Sequence, residues 1–145
     1  MESCSLCSPD LGPVLATSQY WRLILNHNQN LLGKCFLVLR RHLQSVPHLD
    51  AAEWQELHAQ LAAATHALQQ AFQPDHFNYA FLQNQDRHIH MHIIPRYAAP
   101  RQFKRLTFGD PDYPSHYAVP ASVRRLDALD VADLAAYIRR CGTFE

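Results

Sequence analysis

Apolar residues recur along the chain at two different spacings, and each spacing predicts one class of element. Between residues 50 and 73 they recur every three or four positions, as in an amphipathic helix. This stripe consists of Trp54, Leu57, Leu61, Ala64, Leu68 and Phe72. Asp50 and Glu53 precede the stripe with the spacing of a capping box, which predicts that the helix begins there. A shorter second helix is predicted from Asp130, ending at Gly142.

Other segments are rich in branched and aromatic residues, which favour β-strands. They are residues 20–25, 34–40, 76–84 and 88–94, with a further short strand expected at residues 13–17. Polar residues between positions 26 and 33 predict a turn between two paired strands. Strands on both sides of one long helix predict an α+β domain with an antiparallel sheet. Five prolines between positions 95 and 120 predict a long loop.

Length and charge then narrow the class of protein. The 145 residues suit a single domain spanning 1–145, and 13 basic residues balance 13 acidic ones. This balance argues against nucleic acid as a partner. The sequence has no run of eighteen apolar residues, so we expect no membrane span. Its start does not resemble a signal peptide. We therefore expect a cytoplasmic protein with reduced cysteines.

The ten histidines are the unusual feature of the composition, and three of them alternate in the run His88-Ile-His90-Met-His92. On a β-strand, alternation places all three imidazoles on one face. His88 and His92 would then lie roughly 13.6 Å apart, since residues two apart are separated by roughly 6.8 Å. Zinc–nitrogen bonds are only about 2 Å long, so the three cannot share one ion on a straight strand. The three histidines therefore divide at least two tasks between them.

A second chemical signal is the pair Cys4-x-x-Cys7 near the start of the chain. Thiolates at this spacing can bind one tetrahedral zinc ion, which needs two more ligands. His42 and His88 are the natural candidates, and together the four residues predict a closed, structural zinc site. His90 and His92 would remain free for other work. The alternative is an exposed, flexible cysteine pair without a metal.

The run from His88 to His92, continuing into Ile-Pro-Arg, resembles the signature of the histidine-triad nucleotide-binding superfamily. The similarity spans residues 4 to about 97 and includes the two cysteines, the strand that precedes His42 and the long helix. It implies a histidine-triad fold with an antiparallel sheet of about five strands, one long helix and a C-terminal helix. Residues 1–97 would form the core, 98–120 a proline-rich loop and 121–145 the C-terminal helical region. The resemblance also implies a homodimer.

For function, the resemblance implies a nucleotide-conjugate hydrolase or nucleotidyl transferase that acts at an α-phosphate. Its nucleophile would be His90, through a covalent nucleotidyl–histidine intermediate, and His92 would contact the phosphate and assist the leaving group. Substrates would be dinucleoside polyphosphates or nucleoside phosphoramidates. No magnesium requirement is expected, because Asp86 stands alone near the triad. The residues expected to contact substrate are Asn26, Lys34, Gln83, Gln85 and His92.

Three departures from the family pattern leave alternatives open. Lys34 stands where the family has a histidine, and Asn26 stands where it has a ribose-binding aspartate. The glycine-rich phosphate loop before the triad is replaced by a short connection, residues 83–87. A nucleotide-binding protein with little catalysis, or a zinc-binding structural module, therefore remains an alternative to the enzyme.

Overall fold

The computed structural model describes residues 4–144. Its strands are β1 (Val14–Thr17), β2 (Trp21–Leu25), β3 (Cys35–Leu39), β4 (His76–Ala80), β5 (His90–Arg96), β6 (Arg101–Phe103) and β7 (Leu106–Phe108). The α-helices are α1 (Ala51–Phe72) and α2 (Ala128–Cys141), and short 3-10 helices span Ser5–Cys7 and Val46–His48. Neither α1 nor α2 is both long and apolar enough to cross a membrane.

Five antiparallel strands form the central sheet, in the order β1-β2-β3-β5-β4. This arrangement confirms the α+β class, with the long helix and the C-terminal helix that the sequence predicts. One face of the sheet packs against α1 and α2 through buried residues such as Leu37 and Ile93. The opposite face carries a smaller apolar cluster that includes Phe36 and Val38. Because neighbouring residues of a strand point to opposite faces, this second face is where the alternating polar residues of β5 lie.

Helix α1 begins where the capping box predicts, with the Asp50 N–H donating to Glu53 Oε1 at 2.8 Å. The apolar stripe is buried from Ala64 onwards and at Leu57, whereas Leu61 is half-buried and Trp54, at its start, is 43% exposed. The inward position of the first turn is taken by Glu53, which is 2% exposed and accepts two hydrogen bonds from Arg41. Trp54 instead meets the ring of Phe81 edge-on.

Several predicted boundaries were wrong. The strand predicted over residues 76–84 ends at Ala80. Helix α2 begins two residues early, at Ala128, because Asp127 caps it by accepting the Asp130 N–H at 2.8 Å. The expected loop between positions 95 and 120 contains the hairpin β6–β7, whose Phe108 is buried in the main core. Strand β5 begins at His90, so His88 lies just before it.

Candidate active site and metal cluster

A cavity of about 500 Å³ lies against the sheet face opposite α1, and both histidines of β5 line it. His90 pairs with Val38 of β3, and His92 pairs with Phe36. The two imidazole rings meet edge-on with their centroids 4.9 Å apart. A cavity of this size accommodates a ligand as large as a nucleotide.

His90 is buried, with only 8% of its surface exposed, and one ring nitrogen is fixed by a hydrogen bond. Its Nδ1 lies 2.8 Å from the carbonyl oxygen of His88. A carbonyl only accepts, so Nδ1 carries the proton and the lone pair is on Nε2. This tautomer of the neutral ring leaves Nε2 as the nucleophilic nitrogen.

His92 and Lys34, which line the cavity with His90, both have lowered pKa values. Burial lowers the pKa of His92 to about 4, and the charges of His90 and Lys34 act in the same direction. His92 is therefore a neutral hydrogen-bonding group at neutral pH. Burial also lowers the pKa of Lys34 to about 8, so its amine is mostly but not wholly protonated there.

The short connection before β5 forms one wall of the cavity through residues 83–86. Gln83 lines the cavity, but its side-chain amide donates to the backbone carbonyls of Gln44 and Arg87. Its amide N–H groups therefore hold the connection in shape. Gln85 lines the cavity and is exposed. Asp86 accepts a 2.6 Å hydrogen bond from the Ser5 hydroxyl, which ties this wall to the N-terminal segment.

The opposite wall comes from the β2–β3 turn, where Asn26, Asn30 and Lys34 line the cavity. Asn26 Oδ1 accepts the backbone N–H of Asn28 at 2.9 Å. Lys34 Nζ donates to Asn30 Oδ1 at 2.5 Å. All five residues predicted to contact substrate, Asn26, Lys34, Gln83, Gln85 and His92, therefore border one space together with His90.

Sequence reasoning missed the third wall, which is formed by residues 117–121 and Val123 of the segment after the hairpin. Asn28 attaches it, since its side chain donates to the Ser122 carbonyl and accepts the Arg124 N–H. The Arg124 guanidinium then stacks on Phe108, 3.9 Å from the ring centroid. The sequence carries two local signs of this wall, namely the prolines of the segment and the asparagines at alternate positions of the β2–β3 turn. Neither sign shows which segments of the chain come into contact.

The second constellation is a cluster of Cys4, Cys7, His42 and His88, whose candidate ligand atoms all lie within 4.8 Å of one another. His88 Nδ1 lies 3.3 Å from Cys4 Sγ, 3.4 Å from Cys7 Sγ and 3.3 Å from His42 Nδ1. Cys7 Sγ lies 3.4 Å from His42 Nδ1. A tetrahedral zinc ion would separate two nitrogen ligands by about 3.3 Å, and a sulfur and a nitrogen ligand by about 3.5 Å. The cluster thus fits zinc in donor type, donor number and spacing.

His88 connects this cluster to the cavity. Its Nε2 lies 2.6 Å from the Leu39 carbonyl, which fixes Nδ1 as the nitrogen that faces the two cysteines. Burial is the main cause that lowers the pKa of His88, and it favours the neutral imidazole that binds metals. The carbonyl of the same residue accepts from His90. One residue therefore serves both constellations.

The basic residues after the triad do not border the cavity. Arg96 forms a buried ion pair with Asp110 at 2.7 Å. Arg101 donates to the carbonyls that end α1, and Lys104 pairs with acidic residues of α2. These charges support the fold, and Arg105 is exposed.

Fold and cavity together define an α+β protein in which two strand-borne histidines face a ligand-sized space, next to a cysteine–histidine cluster. The model of the HIT domain family matches residues 13–99. The chain therefore belongs to the HIT domain family, as the triad predicts. No curated protein matches the chain.

Solved structures with the same fold are distant in sequence. A histidine triad protein from Sinorhizobium meliloti 1021 is 20% identical, with a TM-score of 0.74 over 90% of this chain and 89% of that one. A hypothetical histidine triad nucleotide-binding protein from Sulfolobus tokodaii strain7 is 17% identical, with a TM-score of 0.71 over 95% and 91%. A zinc-bound histidine triad family protein from Mycobacterium smegmatis is 16% identical, with a TM-score of 0.61 over 95% and 94%.

Proposed function

We propose that the protein is a nucleotide-conjugate hydrolase or nucleotidyl transferase that acts at an α-phosphate through a covalent intermediate on His90. The observation that carries this proposal is the fixed tautomer of His90, whose Nδ1 is held 2.8 Å from the His88 carbonyl within the cavity. A neutral imidazole with a free Nε2 is the nucleophile that attack on phosphorus requires. Membership of the HIT domain family and the similarity to the Sulfolobus histidine triad nucleotide-binding protein agree with a nucleotide ligand.

In the first step, the Nε2 lone pair of His90 forms a bond to the α-phosphorus. The bond from phosphorus to the leaving group breaks, and that group departs with the electron pair and takes a proton from water. In the second step, water attacks the phosphorus and the phosphorus–nitrogen bond breaks. The electron pair returns to Nε2, the proton of the water passes to solvent, and a nucleoside monophosphate is released.

The neighbouring side chains supply binding and charge. His92 is neutral at pH 7, so its N–H donates a hydrogen bond to the charge that develops on phosphoryl or leaving-group oxygens. Lys34 contributes positive charge, and Asn26 and Gln85 offer amides to the sugar or base. Donors fixed in a partly dry cavity stabilise developing charge more strongly than water does.

We also propose a structural zinc ion bound by Cys4 Sγ, Cys7 Sγ, His42 Nδ1 and His88 Nδ1. Four protein donors close the coordination sphere, so the ion would hold the N-terminal segment on the sheet and take no part in bond breaking. The zinc-bound Mycobacterium structure of the same fold supports the choice of metal. Since the reaction uses only imidazoles and Lys34, we expect no magnesium requirement.

The proposal is tested by incubating the protein with a nucleoside phosphoramidate and a dinucleoside polyphosphate, followed by quenching without acid and intact-mass analysis. A mass increase of one nucleotidyl group that maps to His90 supports the enzyme. Tight binding with neither turnover nor a covalent adduct would instead support the nucleotide-binding alternative. Zinc without nucleotide binding would leave only the structural module.

For assembly, we expect a homodimer through α1 and the sheet. Strand β4 is an edge strand, and exposed apolar side chains lie on or beside it and on α1: Trp54, Tyr79 and Leu82, at 41–43% exposure. Sedimentation equilibrium gives the mass directly, and a species of 16.7 kDa at micromolar concentration would refute the dimer. The expected compartment is the cytoplasm, with which four cysteines that form no disulfide agree.

A further inference from the structure

One lysine supplies the fixed positive charge of the cavity. Among the described residues that line it, Lys34 is the one lysine or arginine. The other groups there that can carry charge are His90 and His92 on β5, Asp86 on the preceding connection, and Tyr117 on the covering segment, which is residues 117–124 after the hairpin. Asp86 carries the opposite charge and is hydrogen-bonded to Ser5.

The position of this cation is set by the turn that carries it. The Lys34 side chain is 8% exposed, and its ammonium group donates to Asn30 Oδ1. The Asn30 backbone N–H donates in turn to Asn28 Oδ1 at 3.1 Å. Asn28 also holds the covering segment at Ser122 and Arg124. The ammonium group is thus fixed relative to two walls of the cavity.

We propose that Asn30 positions Lys34 as the single cation that meets the phosphoryl group, so that the site selects conjugates with one phosphoryl group over polyphosphate chains. This inference rests on the proposed function and narrows its substrate class. A polyphosphate chain carries about one negative charge per phosphate, and proteins that bind such chains surround them with several cations or a metal ion. One fixed ammonium group matches one phosphoryl group.

Direct binding measurements test the inference without relying on turnover. Titration calorimetry at pH 7 and without divalent cations compares AMP and GMP with ATP and GTP. We expect the triphosphate to bind no more tightly than the monophosphate of the same base. Triphosphate binding tighter by tenfold or more would overturn the proposal.

Substitutions of Lys34 and Asn30 separate the effect of the positive charge on binding from the effect of the local structure. Lys34→Met should weaken monophosphate binding about tenfold or more, because a hydrogen bond to a charged group is lost, whereas Lys34→Arg should retain most of it. Asn30→Ala should weaken binding less than Lys34→Met, and Asn30→Asp should weaken it by pairing the ammonium group with a carboxylate. Lys104→Met, at the other lysine of the chain, is the matched control and should bind like the wild type.

A pH series adds a readout that a merely structural role would not change. Burial holds the pKa of Lys34 near 8, so wild-type binding should weaken between pH 7 and 9.5, while the phosphate stays doubly ionised. The Lys34→Arg variant should lose this dependence. Unchanged binding by Lys34→Met would refute the inference and leave the His90 mechanism standing. If neither monophosphate binds, the proposed function itself fails.

Discussion

The buried ion pair between Arg96 and Asp110 offers a quantitative test of how the cavity wall is held. The side chains are 3% and 1% exposed, and Asp110 accepts from Arg96 Nε at 2.7 Å, from Nη2 at 3.2 Å and from the Tyr97 N–H at 3.1 Å. Arg96 also donates to the Ser115 carbonyl, next to the segment that covers the cavity. Replacing Asp110 by alanine removes three acceptor contacts at once.

The expected cost follows from what the replacement leaves behind. Arg96 would keep hydrogen bonds to Asn78 Oδ1 and to the Ser115 carbonyl, but its charge would be buried without a counter-ion. Removing one partner of a buried ion pair costs about 3–5 kcal/mol. Because a domain of this size is stable by only about 5–15 kcal/mol, Asp110→Ala should remove a large part of that margin.

Urea denaturation followed by tryptophan fluorescence measures the change, with Trp21 fully buried as the reporter. Lys104→Met is the control, since it removes an exposed charge from pairs with Asp130 and Asp133 and should change stability far less. If Asp110→Ala lowers the free energy of unfolding by less than about 1 kcal/mol, the view that this ion pair is shielded from water and needed for stability is refuted.

The same pair predicts a dependence on pH. Burial alone would raise the pKa of Asp110, but the hydrogen bonds and charge of Arg96 outweigh it and hold the pKa below its usual range. A carboxylate with a lowered folded-state pKa stabilises the fold above the unfolded-state pKa, near 3.9. This contribution is lost as the pH falls through the lower folded-state value, so the stability gap between wild type and Asp110→Ala should narrow below pH 4.

Other regions give independent predictions. Cys7→Ser should reduce bound zinc well below one equivalent per chain, by elemental analysis, and lower the melting temperature; an unchanged metal content would rule out the cluster as the site. Gly33→Ala should lower the free energy of unfolding, measured in urea, by about 1–3 kcal/mol, because φ is +85° and a Cβ would lie 2.8 Å from Leu68. Gly109→Ala is the control, since a Cβ there would enter open space. In NMR titrations, the His92 ring should stay neutral down to about pH 4. Since its folded-state pKa lies below the unfolded value near 6.5, its contribution to stability should fall as the pH drops from 6.5 towards 4; a His92 midpoint near 6.5 would contradict this.

Local sequence patterns predict most of the fold because they act over a few residues. The capping box at Asp50 and Glu53 sets the start of α1, and the alternation through His92 defines β5. Where tertiary contacts decide, the patterns fail. Trp54 falls on the apolar stripe but is displaced by Glu53, whose burial depends on Arg41, a residue outside the helix.

In the candidate site, too, local patterns predict one part and tertiary contacts decide the other. His90 and His92 face one side because they alternate along a single strand, as the sequence predicts. Lys34 reaches the same cavity from the turn directly before β3, the strand that pairs with β5. The covering segment is different, because its position depends on Asn28 contacting Ser122 and Arg124, which lie more than ninety residues away. No local pattern encodes a contact between residues so far apart in the sequence. This wall of the cavity therefore could not be predicted from the sequence.

Trapping the covalent intermediate tests whether His90 is the nucleophile. Wild type and His90→Asn are each mixed with a nucleoside phosphoramidate, quenched without acid and analysed by intact mass and peptide mapping. We expect one nucleotidyl group on His90 in the wild type and none in the variant, which should still bind the nucleoside monophosphate because only the nucleophile is lost. A nucleotidyl group on another residue, or full turnover by His90→Asn, would refute His90 as the nucleophile.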